Sequence, residues 1–468
     1  MHLDPLLGTT AEIVEAVRLR EVSALDMAKL AIAAAEAVNP RINAFTEITA
    51  ERALAEADAL DTRIAAGEPV PALAGLPYAV KNLFDIEGVT TRAGSKVNRD
   101  NPPAVSDAAL VARMKAAGAL LVGALNMDEY AYGFTGTNEH DGDVRNPHDQ
   151  SRMAGGSSAG AGAAVAAGVV PLALGSDTNG SIRVPASFCG TFGLKATYGR
   201  FSRAGAFPFV TSFDHVGPLA RSARGLALLH DAIAGYDPAD PVSARHPLMS
   251  CEAALEEGGD GLRIAVAGGW FRQNATSRAL AAVDLAARAL GVEREVELPE
   301  TRKARLAAYV LTASEGGALH LDRLRERPDD FEEETRNRLI AGALVPGAWA
   351  MQAQRVRRWY REQVLALFDT VDAILTPTTP FPAPAFGTST IEIDGATLPL
   401  EPNIGIYTQP FSFIGLPAVS VPVWLEGERM PYGVQIVTAP WREDIALRIA
   451  DTLEREGVAE ARVAMMEE

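Results

Sequence analysis

Two glycine-rich segments hold side chains able to do chemistry: GGSSAG at 155–160 and DTNGSIRVPA at 177–186. The first supplies Ser157 and the second Ser181, 24 positions later. Nucleophilic attack on a carbonyl needs a nucleophile, a base and donors for the oxyanion that develops. Glycine lets backbone N–H groups approach a ligand closely. The run Thr178-Asn179-Gly180-Ser181 can turn several of them toward one oxygen, as a nest of amides. Only seven histidines occur, and none sits in a GxSxG nucleophile elbow. A Ser-His-Asp triad therefore has little support, although such triads are defined by geometry rather than chain order. HExxH, Walker A and GxGxxG signatures are missing.

The elements that must position these serines read as an α/β alternation. The first 65 residues pattern as helices: one after Thr9-Thr10, one opened by Ser23 and ended by Asn39-Pro40, and one through AERALAEADALDTRIAAG. PYAVKNLF is short, β-branched and aromatic, which suits a buried strand. DAALVARMKAAGALLVGALN reads as helix, glycine break and strand; residues 159–168 have the alanine spacing of a closely packed helix; VVPLALGSD reads as a strand ending at a turn. A further strand–helix unit starts at GLRIAVAGG (261–269), and 301–370 is charged and helical. DAILTPTTP ends in a strand, PAVSVPVWLEGERMPYGVQIV reads as a hairpin, and REDIALRIADTLEREG as a final helix. Such alternation predicts a single large α/β/α domain over 1–468, a mixed central β-sheet flanked by helices. Its parts are an N-terminal helical segment (1–65), a core with both serine motifs (66–235), a mostly helical region (236–370) and C-terminal strands with a helix (371–468).

Composition narrows the function classes. The chain has 468 residues, 48% hydrophobic and 22% charged, with a formal net charge of −17. So acidic a chain disfavours direct nucleic-acid binding and docking on anionic membranes. Its two cysteines, Cys189 and Cys251, make neither a disulfide framework nor a zinc pattern, which fits a reducing, cytoplasmic setting. The N-terminus lacks signal-peptide organisation, and no uninterrupted apolar stretch reaches the roughly 18 residues of a bilayer span.

The run AGGSSAGAGAAVAAGVVPLALGSDTNGSIRVPASFCGTFGLKATYGR (154–200) resembles the amidase signature family, whose pattern is GGSSxG…GSDTxGSIRxPAxxCGxxGLKxTxGR. Upstream, GLPYAVKNLFDIEGVTTRAGS is similar to the family's lysine strand; downstream, GLPAVSVPV and MPYGVQIV are similar to its last hairpin, so the resemblance covers nearly the whole chain. It implies an amidohydrolase with a Ser-cisSer-Lys triad. Lys81 matches the catalytic lysine, Ser157 the bridging serine after a cis peptide, and Ser181 the acylated nucleophile. The N–H groups of Thr178, Asn179, Gly180 and Ser181 match the oxyanion hole. An ordinary lysine, with a pKa of about 10.4, is a poor base at neutral pH, but burial among Pro77, Tyr78, Val80, Leu83 and Phe84 would disfavour its ammonium. Departures are Ala154, Ala159, Ala196 and Asn179; the last stands in the oxyanion loop where many members have glycine. The family needs no cofactor and no metal, and none is expected here.

Substrate-binding candidates are Ala131, Tyr132, Gly155, Gly156, Ser158 and Gln409, with Thr135 and 406–413 expected near the pocket. Asp177 and Arg183 are expected to make structural polar contacts, His215 a structural one, and Cys189 to be a small buried residue. TNEHDGDVRNPHD and SDTNGSIRVPASFCGTFGLK resemble the members that release ammonia from 1-carboxybiuret, a small, polar, anionic ureide of cyanuric-acid breakdown. That resemblance also implies a small helical partner subunit. Alternatives are the glutaminase subunit of the aspartyl/glutamyl-tRNA amidotransferase, whose PGGSSGG and DTGGSIRQPA this chain lacks, a broad aliphatic amidase, or a non-catalytic scaffold. The charged helices at 320–365 read as a solvated or partner-facing surface.

Overall fold

A computed structural model describes residues 5–393 and 395–466. Eleven strands form one mixed sheet. In chain order they are β1 (Phe45–Ile48), β2 (Pro77–Lys81), β3 (Leu120–Leu125), β4 (Leu172–Asp177), β5 (Phe192–Lys195) and β6 (His215–Ala220). Then follow β7 (Ile264–Ala267), β8 (Glu295–Val296), β9 (Ala373–Pro377), β10 (Ala418–Val423) and β11 (Tyr432–Thr438). The spatial order is β1-β3-β2-β4-β6-β5-β10-β11-β9-β7-β8. Its centre is buried on both faces, so β2, β3, β4 and β6 show no exposed position, as strands covered by helices on both sides require. Helices flank the sheet, as the α/β/α reading expects.

Among these helices are α1 (Thr10–Arg18), α2 (Ala24–Ile42), α3 (Ala50–Ala65), α4 (Ala159–Ala166), α5 (Arg183–Cys189), α6 (Thr301–Leu319), α7 (Glu333–Ala343) and α8 (Gly347–Leu367). Thr9 and Glu12 close a capping box on α1, and Ser23 caps α2 through the Asp26 N–H at 2.9 Å. Three expectations change here. Helix α2 runs through Pro40 to Ile42, because proline in the last turn removes one hydrogen bond while Asn43, in the left-handed region, caps the end. The N-terminal segment is not wholly helical: β1 pairs antiparallel with β3 at the sheet edge. The expected PYAVKNLF strand stops at Lys81, where Phe84 N–H donates to Lys81 O (3.0 Å) and turns the chain.

Two features of this fold place the site. Strands β2 and β4 are parallel neighbours, with Tyr78 opposite Leu172 and Val80 opposite Leu174. Lys81 and the loop after Asp177 therefore emerge side by side at one sheet end, the place where open α/β sheets bind ligands. Helix α4 packs against its neighbours at backbone distance. A Cβ on Gly160 would stand 2.3 Å from Ala44 O, so only glycine lets this helix seat beneath the serine loop.

Candidate active site

Lys81 is fully buried at the end of β2. Its Nζ lies 2.6 Å from Ser157 Oγ and 2.8 Å from Ser176 Oγ. Burial pushes the Lys81 ammonium below its usual range, while the carboxylates of Asp128, Asp177 and Asp214 pull partly the other way. A neutral Nζ can accept a proton from a hydroxyl it already touches. Ser157 follows a cis peptide with Gly156. Ser158, next along, serves the framework. Its hydroxyl donates to Ser176 O and accepts from Ser176 N–H, both at 3.1 Å, and its own N–H donates to Ser181 O at 3.2 Å. The two serine loops are thereby fastened together.

Ser181 sits on the loop between β4 and α5, nearly buried, and lines a cavity of about 360 Å³. Among the described residues, the N–H groups of Asn179, Gly180 and Ser181 donate to no protein acceptor. Buried unpaired N–H groups are rare, and three in succession beside a serine form a ready site for an oxyanion. Side chains hold the loop from three sides. Thr178 Oγ1 donates to Asp214 Oδ1 (2.6 Å), Thr408 Oγ1 donates to Asn179 O (2.7 Å), and Asn179 Nδ2 donates to Thr312 Oγ1 of α6 (3.1 Å). Gly180 has φ +143°, and a Cβ there would stand 2.2 Å from Thr408 Oγ1. A side chain at this position would force the loop away from its brace.

Behind the loop, Asp177 meets Arg183 through Nε at 2.9 Å and Nη2 at 3.0 Å, both groups fully buried. Arg183 also reaches Gln435 Oε1 (2.8 Å) and Ser412 Oγ (2.6 Å). Burial alone would raise the Asp177 carboxyl, but the guanidinium overrides it and holds the group well below the usual carboxylate range. These residues are structural, as expected. So is His215, whose ring donates through Nδ1 to Phe213 O at 2.7 Å in the assigned geometry and whose imidazolium burial strongly disfavours. Cys189 is buried against Ala154 O, its thiol pushed upward by burial.

Of the substrate-binding candidates, Ala131, Tyr132 and Gln409 line the cavity, together with Thr178, Asn179 and Ser181. Gly155, Gly156 and Ser158 do not. The N–H groups of Gly155 and Gly156 already donate to Thr135 O (3.2 Å) and Phe134 O (2.8 Å), and the Ser158 bonds are internal. Several residues of the site are not singled out in the sequence. Ser176 is the second partner of Lys81. Asp128 is a buried carboxylate that accepts from Gly136 N–H (3.1 Å) and Thr135 N–H (3.2 Å), raised by burial and drawn back by those N–H groups and Lys81. It packs so closely that a Cβ on Gly156 would lie 2.2 Å from its Oδ1. Tyr309, Thr312, Arg338 and Glu401 form the far wall. Arg338 Nη1 pairs with Glu401 Oε1 at 2.7 Å, and its guanidinium lies 5.6 Å from the Tyr132 ring centre. Of all these, Ser176 stands in the GSDT of the signature run and Asp128 in MDEYA at 127–131, either of which could have drawn attention to it.

The chain has counterparts over nearly its whole length among known proteins. The chain is 56% identical over 451 residues to AtzE, a 1-carboxybiuret hydrolase subunit of Pseudomonas sp. (strain ADP), covering 96% of this chain and 99% of that protein. It is 37% identical over 477 residues to a glutamyl-tRNA(Gln) amidotransferase subunit of Geobacter metallireducens, with 96% of each covered. A solved, inhibitor-bound structure, described as a vestigial protein complex revealing the origins of an s-triazine catabolic enzyme, superposes with a TM-score of 0.96 at 55% identity. That superposition covers 97% of this chain and all of the other. The family model called Amidase matches residues 26–447, and with site, fold and relatives in agreement, the chain belongs to the amidase family.

Proposed function

We propose that the chain is an amide hydrolase that releases ammonia from 1-carboxybiuret, with Ser181 as nucleophile. The observation that carries this reading is the run of unpaired N–H groups at 179–181 on the serine's own loop, beside a cavity. The reaction follows from the side chains. Ser181 Oγ attacks the terminal carbamoyl carbon while its proton passes to Ser157 Oγ and the Ser157 proton passes to neutral Lys81 Nζ. The carbonyl oxygen, now anionic, takes the free N–H groups. The tetrahedral adduct collapses, its C–N bond breaks, and the leaving nitrogen departs as ammonia with the proton returned by the relay. Water, deprotonated along the same route, then cleaves the Ser181 ester and regenerates the hydroxyl.

The far wall offers an anionic ureide Arg338, whose guanidinium is already paired with Glu401 of the same wall. Among the described residues lining the cavity, Arg338 is the one side chain that is always cationic. Tyr132 and Gln409 offer further polar groups. The 56% identity to the carboxybiuret enzyme supports the same substrate. The test is ammonia release from 1-carboxybiuret, biuret, allophanate, glutamine and simple aliphatic amides. The expected result is preference for 1-carboxybiuret and its loss in Ser181→Ala with the fold intact. Turnover of glutamine alone would overturn the substrate, and an active Ser181→Ala the nucleophile. This reading also includes a cytoplasmic setting and a helical partner subunit; that a related chain was solved in a protein complex supports a partner. Among the described residues no helix is long and apolar enough to cross a membrane.

A further inference from the structure

A cavity of about 490 Å³ stands apart from the one at Ser181 and shares no lining residue with it. Among its walls are His230 and Cys251, each 2% exposed. His230 belongs to the helix Ala223–Ile233, and Cys251 opens the short helix Cys251–Ala254. A ring nitrogen of His230, a carboxylate oxygen of Asp231 and the Cys251 thiol lie within 4.8 Å of one another. No step of amide hydrolysis at Ser181 uses these three groups. Their spacing in the chain matches no metal motif, and it is the fold that gathers them.

A second observation points to a ligand. His230 Nε2 is buried with no hydrogen-bond partner among the described residues, which is costly for a polar atom in the interior. The other ring nitrogen, Nδ1, lies 3.0 Å from Asp231 Oδ1. Asp231 in turn accepts from Ser250 Oγ (2.6 Å), Cys251 N–H (2.9 Å) and Glu252 N–H (3.1 Å). Hydrogen bonds of this kind orient the imidazoles and carboxylates of metal sites. The cavity's two arginines do not oppose a cation: Arg200 pairs with Glu443 at 3.3 Å and Arg442 with Asp444 at 3.0 Å. Nitrogen, oxygen and sulfur donors together select zinc, whereas magnesium and calcium take oxygen. Zinc holds nitrogen and oxygen at about 2.0–2.2 Å and sulfur at about 2.3 Å, so tetrahedral ligands stand roughly 3.3–3.7 Å apart. Donors already within 4.8 Å of one another reach that spacing by side-chain movements of about 1 Å.

We propose that His230, Asp231 and Cys251 form a zinc site on this cavity, with water from the cavity as the fourth ligand. Binding makes a Zn–S bond and releases the thiol proton to solvent. The ion fastens the helix Ala223–Ile233 to the chain returning at 250–254 and takes no part in the hydrolysis at Ser181.

The test takes the full chain, stripped of metal by chelation and dialysis, with zinc alone as the probe and cobalt as its spectroscopic stand-in. Equilibrium dialysis is expected to show one zinc per chain, and saturating zinc to raise the unfolding midpoint by roughly 2–4 °C. Cobalt is expected to give a thiolate charge-transfer band in the near ultraviolet. Cys251→Ser should abolish that band and weaken zinc binding roughly 100-fold or more. His230→Gln should weaken zinc binding as much, and Cys189→Ser, at the other buried thiol, should change neither readout. The cobalt band is read on the unaltered chain, so it decides the matter even where a variant misfolds. Failure to bind zinc, binding that survives both Cys251→Ser and His230→Gln, a cobalt complex without the thiolate band, or equal competition by magnesium would each overturn the proposal.

Discussion

Replacing Thr312 with valine removes one oxygen and keeps the side-chain volume. That oxygen is the acceptor for Asn179 Nδ2 at 3.1 Å, and both residues are buried. The neighbouring Asn179 Oδ1 has no partner of its own, so the valine leaves the whole amide unpaired. Orphaning a buried polar group costs about 1–3 kcal/mol. If that cost falls on the loop that presents the free N–H groups, kcat/KM falls by about 5- to 150-fold, at roughly 1.4 kcal/mol per factor of ten. Asn179→Ala costs less, about 0.5–1.5 kcal/mol, because the freed Thr312 hydroxyl can bond back to a carbonyl of its own helix. The double variant should therefore fall short of additivity by about 0.5–1.5 kcal/mol, the coupling expected of residues in contact. The assay is steady-state ammonia release for all four proteins, with urea midpoints alongside to separate loop geometry from global stability. Additivity within about 0.3 kcal/mol, or midpoints that fall while kcat/KM stays constant, would refute the idea that α6 braces the oxyanion loop.

Lys81→Met should lower kcat by about 10²- to 10⁴-fold. It should also flatten the pH dependence of stability. The folded amine is held below its usual range while the unfolded one titrates near 10.4, so the unfolded chain binds more protons and wild-type stability rises with pH across that interval. Parallel stability curves for the two proteins would contradict the neutral amine. Arg338→Gln should cost an anionic ureide about 10- to 100-fold in kcat/KM, the worth of charge-assisted hydrogen bonds at 1.5–3 kcal/mol, and leave neutral biuret nearly unaffected; equal losses on both substrates would remove Arg338 from recognition. Arg183→Met leaves the Asp177 carboxylate buried without its cation, and chemical denaturation should show a loss of about 3–5 kcal/mol that Asp177→Asn partly restores. A loss below 1 kcal/mol would mean that this pair does not hold the loop.

What could be read from the sequence was whatever the chain keeps local. Ser157 and Ser181 sit among glycines, two of which lie too close to Asp128 and Thr408 to carry a side chain, and Lys81 ends a short apolar strand that buries its amine. Those requirements act within a few residues and leave visible patterns. The far wall leaves none. Arg338 and Thr312 lie on amphipathic helices whose charges match any solvated helix, and only the packing of α6 and α7 over the loop turns them inward. Ser158 looks like another pocket hydroxyl until the alignment of α4 with β4 shows its bonds to Ser176. Strand β1, FTEI, is four residues between two strongly periodic helices, and its pairing with β3 is a tertiary event. Helix α2 outlasts Pro40 for the same reason, since Ile42 packs in the core.

The cavity is walled by two stretches of chain that meet only in space. Ser181 and the free amides come from residues 131–181, with Lys81 and Ser157 behind them, whereas Tyr309, Thr312, Arg338, Glu401 and Gln409 come from far downstream. Each stretch has its own anchorage: the first in the centre of the sheet, the second in helices laid across its end. The molecule thus separates what it does from what it does it to. Mutational drift in the downstream wall can trade one amide for another while the bond-breaking apparatus stays intact, and drift upstream ends activity on all of them. Libraries aimed at new specificities therefore belong at 309–345 and 401–409, and inactivating lesions should gather at 81–181.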